Sequence, residues 1–166
     1  MTTEVTQVNE DNVFQAPQAE LTNNSTDKPI LEFPRFSAWW VALLAIFTFG
    51  IYTFFWLYNR SVKANAYSKQ RKAVLPAVYA VIGSTLVMWF GPFLIANEET
   101  MSIVTILTYL VYIPAWLVAI FSLRGAVRDV INQSSDHEVH LGGVMTFFFS
   151  SIYIQYKINE AIDTQS

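Results

Sequence analysis

The chain has 166 residues, of which 53% are hydrophobic and 14% are charged, and its net charge is −3. This composition is typical of membrane proteins, because the polar residues are gathered in a tail and in connectors. The chain contains no cysteine, which excludes disulfides, thiolate metal sites and cysteine nucleophiles. It also lacks the basic stripe that nucleic-acid binding requires, so no nucleic-acid partner is expected.

Residues 1–35 are predicted to be a disordered acidic tail. Their acidic residues outnumber their basic ones by six to two, and residues 1–30 have few apolar side chains that could form a core. No cleavable signal peptide is expected, because the first apolar run begins only after about 36 residues and no basic n-region precedes it. A membrane domain is predicted over residues 36–163.

The first apolar segment, 37–58, carries no charged residue. As a helix of about 22 residues it would be roughly 33 Å long, enough to cross a hydrocarbon core of about 30 Å. Trp39 and Trp40 at one end and Trp56 and Tyr58 at the other suit the two membrane–water interfaces. One spanning helix is therefore predicted.

An alternative for this segment is a hairpin broken at Thr48, Phe49 and Gly50. The chain would then return to the side from which it entered. The N-terminus would lie on the same side as the connector that follows, instead of on the opposite side.

The connector 59–72 holds half of the basic residues of the chain and no acidic residue. A short basic connector is expected to stay in the cytoplasm. Its cations are also candidates for contact with anionic lipid headgroups. The residues in question are Arg60, Lys63, Lys69, Arg71 and Lys72.

Residues 73–96 are the second predicted span, and their small side chains recur on one narrow face of the helix. Small residues allow close helix approach in lipid. We expect this stripe to pack against another helix of the same chain, with a dimer contact as the alternative. The stripe consists of Ala73, Ala77, Ala80, Ser84 and Gly91.

The third predicted span, 101–123, follows the acidic connector 97–100, which is expected on the outside because it has no Lys or Arg. Its small and polar residues also share one face, which is expected to meet the stripe of the second span. That face consists of Thr105, Thr108, Tyr112, Ala115, Ala119 and Ser122. The helix is expected to continue beyond Arg124 as an amphipathic stem.

The last apolar segment lies within residues 144–162. Its apolar part, 144–156, has about 13 residues and would be roughly 20 Å long as a helix, too short to cross unaided. A short span, a re-entrant element and an interfacial helix all fit this length. Apolar residues at positions 154, 158 and 162 predict that an amphipathic helix follows.

Two aromatic motifs carry a family resemblance. Thr48, Phe49, Gly50, Ile51 and Tyr52 are followed by Trp56, and the segment 152–159 reads IYIQYKIN. Together they resemble an uncharacterised family of small bacterial multi-pass membrane proteins, the domain of unknown function 4234, over roughly residues 36–162. The resemblance implies a multi-pass protein of the bacterial inner membrane, with no assigned activity and no catalytic residues to carry over.

Some relatives in that family place a cysteine-rich zinc ribbon ahead of the membrane part, where this chain has an acidic tail without cysteine. The two motifs also resemble each other, IYTFFWLYN against IYIQYKIN. An internal duplication and two independent aromatic interface belts both explain that likeness.

No catalytic, cofactor or metal site is predicted, and the protein is not expected to be an enzyme. The only cluster of metal-binding residue types, 136–140, places its two histidines three residues apart, whereas a zincin helix needs a spacing of four. A solvated loop explains this cluster.

The fold predicted is an all-α membrane bundle with three to four spans, placed in the bacterial inner membrane. A scaffold, adaptor or assembly partner is the function expected, with the lipid bilayer and a protein partner or a second copy of the chain as its contacts. The alternative is a small transporter or channel whose polar path would use Ser84, Thr85, Thr105, Thr108, Ser150, Ser151 and Gln155.

Overall fold

The computed structural model describes residues 28–135 and 137–165 of the chain. These residues form helices and no strand, so the predicted all-α fold is confirmed for the part of the chain that is described. The elements are a short 3-10 helix Pro29–Glu32, α1 Ala38–Phe47, α2 Ile51–Tyr67, α3 Leu75–Leu94, α4 Glu98–Ser134 and α5 Gly143–Gln165.

Helices α3 and α4 form an antiparallel hairpin and make the most extensive helix pair of the fold. The Asn97 side chain caps α4 by accepting a hydrogen bond from the Thr100 amide at 2.8 Å. Both helices are long and apolar enough to cross a membrane. Only 11% of the most apolar 18-residue window of α4 is buried, which distinguishes it from the core helix of a soluble protein. The predicted spans 73–96 and 101–123 lie in this hairpin.

The prediction of one helix over 37–58 is wrong, because the segment is divided into α1 and α2. Phe49 and Gly50 both have positive φ, 50° and 89°, a left-handed geometry that an α-helix cannot continue through. The Thr48 hydroxyl stabilises the break by donating to the Leu44 carbonyl at 2.6 Å and accepting from the Tyr52 amide at 3.0 Å. With ten residues, α1 is about 15 Å long and does not reach across a bilayer.

A second break divides α5, where Ser150 has a φ of 36°. The Tyr153 hydroxyl lies beside Gly142 and accepts a hydrogen bond from its amide at 2.9 Å, so the chain after the break lies back against the start of the helix. Each positive-φ break stands one or two residues before an Ile-Tyr pair, 51–52 in one case and 152–153 in the other. The likeness between the two motifs therefore extends to their backbone.

The main core lies where α2, the C-terminal half of α4 and the second half of α5 meet. Part of the segment predicted as a tail belongs to it. Ile30 and Phe33 are buried in this core, and the Ile30 amide donates to Ser134 Oγ at 3.2 Å. Residues 28–35 therefore differ from the predicted disordered tail, because two apolar side chains fix them. Residues 1–27 lie outside the described residues.

Candidate functional site: a basic end with a buried arginine

Four segments of the chain, 28–35, 60–72, 124–142 and 157–165, meet at one end of the molecule, here called the basic end. Hydrogen bonds and an ion pair join them. Arg35 of the first segment pairs with Asp163 of the last at 2.8 Å, and the Ile30 amide donates to Ser134 Oγ at 3.2 Å. Ser68 Oγ in the second segment donates to Asp129 Oδ2 in the third at 2.7 Å.

All ten Lys and Arg residues of the chain lie in the four segments of the basic end. They are Lys28, Arg35, Arg60, Lys63, Lys69, Arg71, Lys72, Arg124, Arg128 and Lys157. Residues 97–100, which form the cap and first turn of α4, lie at the far end of the α3–α4 hairpin and include two acidic residues and no basic one. The two ends of this hairpin therefore differ strongly in charge.

Asp129 on α4 holds the turn between α2 and α3 in place. Its Oδ2 accepts hydrogen bonds from Ser68 Oγ at 2.7 Å and from the amides of Lys69 and Gln70 at 2.8 Å each. Desolvation opposes ionisation of this carboxyl, but the hydrogen bonds from Ser68, Gln70, Lys69 and Arg71 outweigh it and lower the pKa of Asp129. One carboxylate thus orders a run of basic residues.

Asn65 closes the same turn from the other side. Its side-chain amide donates to the Ala73 carbonyl at 2.8 Å and accepts from the Ala73 amide at 2.6 Å. This pair of hydrogen bonds resembles the one that two backbone residues form in a β-sheet. Lys72 Nζ donates to the Asn65 carbonyl at 2.6 Å. The connector is therefore a defined structure bound to α4, although Lys69, Arg71 and Lys72 remain exposed.

Arg60 and Lys63 do not belong to this exposed connector, because both lie within α2. Arg60 is only 7% exposed, and Lys63 is half-buried. The five basic residues that the sequence placed together as one headgroup-contacting set are therefore split by the structure. Three form the connector surface, and two line a groove beside the core.

The Arg60 guanidinium is held by the amide oxygen of Gln155 on α5. Arg60 Nε and Nη2 both donate to Gln155 Oε1 at 3.0 Å, and Trp56 Nε1 donates to the same oxygen at 3.0 Å. Arg60 Nη2 also lies 3.4 Å from the Pro34 carbonyl. The acceptors in these bonds are all uncharged.

The network continues from Gln155 to the segment before α1. Gln155 Nε2 donates to Asn159 Oδ1 at 3.0 Å, and Asn159 Nδ2 donates to the Phe36 carbonyl at 2.8 Å. Residues of both aromatic motifs are therefore joined through one buried amide. The sequence predicts Gln155 only as part of the alternative polar path, and nothing in its local pattern indicates Arg60 as its partner.

A groove of about 450 Å³ opens beside Arg60 between α2 and the segment before α1. Three of its lining residues are cationic and none is acidic. The lining consists of Pro34, Arg35, Phe36, Tyr52, Phe55, Trp56, Asn59, Arg60 and Lys63.

Most of the small-residue stripe of α3 is buried, namely Ala73, Ala77, Ser84 and Gly91, and Ala80 is half-buried. A Cβ added at Gly91 would come within 3.0 Å of Met101 Cε on α4. Gly91 therefore lies at a close contact between α3 and α4, whereas Ala73 precedes α3 and bonds to Asn65 on α2.

Several hydroxyls of the alternative polar path bond to their own helices. Thr85 Oγ1 donates to the Val81 carbonyl at 2.9 Å, and Thr108 Oγ1 donates to the Val104 carbonyl at 2.7 Å. Ser84 and Ser151 are buried on different helices, and Thr105 and Ser150 are half-buried. Gln155 belongs to the Arg60 network.

The loop that contains the two histidines lies at the basic end. His137 and His140 are exposed, and Glu138 forms an ion pair with Arg128. Within residues 28–135 and 137–165, no group of three His, Cys, Asp or Glu side chains is arranged to hold a metal ion.

Comparison with known proteins gave one family. No curated protein and no solved structure matches the chain significantly. A family match extends over residues 36–164, which is most of the chain and includes both aromatic motifs and the buried network between them. The chain therefore belongs to the family described as Domain of unknown function (DUF4234).

Proposed function

We propose that the protein is a multi-pass scaffold of the bacterial inner membrane that presents its basic end to the cytoplasm. In this proposal the α3–α4 hairpin crosses the bilayer, while α1 and the start of α5 enter it only part of the way. The basic end then lies at the cytoplasmic surface and serves as a docking platform for a protein partner.

The observation that carries this proposal is the concentration of all ten basic residues at one end of an apolar hairpin. Positively charged loops are retained in the cytoplasm during insertion. The apolar surface at the tips of the short helices supports partial insertion, since Phe49 is 88% exposed beside the break between α1 and α2. A phenylalanine in this position is favourable in lipid and costly in water.

The ordered connector supports a platform rather than a flexible tether. Asp129 and Asn65 fix the backbone of the connector through side-chain hydrogen bonds, while Lys69, Gln70 and Arg71 remain exposed. A surface that is already ordered loses less conformational entropy on binding than a flexible loop does. This arrangement suits a scaffold that holds a partner at the membrane.

The topology can be tested with single cysteines in this naturally cysteine-free chain. In intact cells a membrane-impermeant maleimide should label Glu99→Cys. Leu31→Cys, Gln70→Cys and Thr164→Cys should be labelled only after permeabilisation. Labelling of Gln70→Cys and Glu99→Cys from one side would contradict a spanning α3–α4 hairpin. Labelling of Leu31→Cys from outside would contradict the part-way hairpin of α1 and α2.

The scaffold role can be tested by replacing Gln70 with a photo-crosslinking amino acid. A discrete adduct with one partner protein should form from this position and not from Glu99, which serves as the matched exposed position at the other end. If instead the purified protein alone produces solute flux across liposomes and no adduct forms, transport is the function and the scaffold proposal fails.

A further inference from the structure

The groove beside Arg60 follows one face of α2. Tyr52, Phe55, Asn59 and Lys63 recur at intervals of three and four residues, so their side chains share a stripe along the helix. The stripe covers about 16 Å at the helical rise of 1.5 Å per residue. The groove therefore extends along α2.

The polarity of the groove changes along its length. Towards the break at Gly50 its wall is aromatic, and Phe55 is 64% exposed there. Towards the basic end its wall is formed by Asn59, Arg60 and Lys63. A phospholipid has the same order of polarity. Its acyl chain would suit the aromatic end of the groove, and its phosphate would suit the cationic end.

Arg60 supplies the second observation. Arg60 is only 7% exposed as a residue, yet the hydrogen-bond acceptors of its guanidinium are the neutral oxygens of Gln155 and Pro34. Within residues 28–135 and 137–165 no carboxylate lies within ion-pairing distance of its guanidinium. A buried cation without an anionic partner is costly. An anion in the groove would supply the missing charge.

We propose that an anionic phospholipid binds along α2, with its phosphate between Arg60 and Lys63 and an acyl chain against Phe55 and Tyr52. The planar guanidinium suits phosphate oxygens, and Nη1 takes no part in the bonds to Gln155 and Pro34. A soluble phosphate would use only the cationic end of the groove, so the aromatic end favours a lipid.

Native mass spectrometry of the full chain in detergent tests the site with phosphatidylglycerol, and with phosphatidylcholine as the lipid without net charge. Lys63→Gln should weaken phosphatidylglycerol binding about fivefold. Lys69→Gln removes the same charge from the exposed connector and should change binding less than twofold. Equal losses for both variants would show general charge attraction and would overturn the site.

Gln155→Glu tests the role of Arg60 without removing it. A carboxylate at this position gives Arg60 a partner within the protein, so phosphatidylglycerol binding should fall at least fivefold. The substitution also removes the Nε2 donor to Asn159, so binding is measured on protein that retains a cooperative unfolding transition. Unchanged binding in a folded Gln155→Glu protein would contradict the proposed role of Arg60.

Competition distinguishes the source of the phosphate. Glycerol 3-phosphate at the same concentration should displace little bound phosphatidylglycerol, since it lacks the acyl chains. Equal displacement would assign the groove to a soluble phosphate compound, and equal affinity for phosphatidylcholine would also refute the proposal. These measurements need neither a protein partner nor a defined orientation, so they can fail independently of the scaffold proposal.

Discussion

Gln155 illustrates how one side chain can organise a polar site inside an apolar fold. Its amide oxygen accepts from both Arg60 and Trp56, and all three side chains are buried. Leaving a buried donor without a partner costs more than the hydrogen bond itself contributes. This single oxygen therefore satisfies donors from two buried side chains of α2.

We predict that Gln155→Ala lowers the free energy of unfolding by about 3 kcal/mol, because it leaves a buried arginine and a buried indole N–H without their acceptor. The measurement is thermal or denaturant unfolding in detergent. Gln70→Ala, at an exposed position, is the control and should change stability by less than about 0.5 kcal/mol. Equal effects of the two substitutions would mean that the hydrogen bonds of Gln155 contribute nothing to the free energy of unfolding.

Asp129 gives a prediction for the connector. Replacing it with alanine removes the acceptor for Ser68, Lys69 and Gln70. Trypsin should then cleave the connector on the order of tenfold faster, because proteolysis follows the population of the opened segment. Glu138→Ala, which removes only an ion pair near the surface, is the control and should leave the cleavage rate nearly unchanged.

The same carboxylate defines a pH dependence. Because the pKa of Asp129 is lower in the folded protein than in the unfolded chain, its contribution is complete above about pH 4 and is lost as the pH falls through the folded-state pKa. Amide hydrogen exchange at Lys69 and Gln70 should therefore accelerate in acid beyond the intrinsic pH effect. The Asp129→Ala protein should lack this extra acceleration.

Among the elements, the break between α1 and α2 determines whether the first apolar segment is one helix or two. Gly50 has a φ of 89° and no atom within 4 Å of an added Cβ, so a substitution there changes only the backbone preference. Gly83 has equally open surroundings but lies inside α3. These two glycines form a matched pair.

Gly50→Ala should destabilise the protein by about 1–2 kcal/mol, since alanine is strained at positive φ. Gly83→Ala should stabilise it by about 0.5–1 kcal/mol, because alanine favours a helix interior. Unfolding midpoints of both variants in the same detergent provide the comparison. A stabilising Gly50→Ala would indicate that the segment can form one continuous helix.

The elements also show how far the sequence could predict this fold. Apolar length is a strong signal, so α3, α4 and the all-α class follow directly from it. Apolar length predicts one helix at 37–58, which is wrong. Uninterrupted hydrophobicity does not show that Phe49 and Gly50 have positive φ and end the helix. The Thr-Phe-Gly pattern did suggest the hairpin as an alternative. Ile30 and Phe33 were overlooked because two apolar residues in a polar run form no periodic pattern.

The candidate site was less accessible to prediction than the fold. The density of Lys and Arg predicts the basic connector with Arg60 in it, but it does not predict the partner of Arg60, because Gln155 is 95 residues away along the chain. Their contact depends on how α2 packs against α5. The separation of Arg60 and Lys63 from Lys69, Arg71 and Lys72 also requires knowing which residues face the core.

At the scale of the whole molecule, charge asymmetry predicts the direction of insertion. Glu98→Lys together with Glu99→Lys places two basic residues at the end that has none, and should sharply reduce outside labelling of a reporter Asn97→Cys. Glu98→Gln with Glu99→Gln removes the same acids without adding cations and should preserve labelling, because acidic residues contribute little to orientation. Equal labelling of both double variants would show that charge does not determine the orientation.

The position of Lys28 has a consequence for binding at the basic end. Lys28 contacts Gln165 there, so residues 1–27 are covalently attached at that surface. They contain five carboxylates and no Lys or Arg. Because these carboxylates are tethered, their local concentration does not fall when the protein is diluted. We therefore expect an anionic partner to bind the basic end more tightly when these five carboxylates are replaced by amides, and the difference measures competition from the acidic segment.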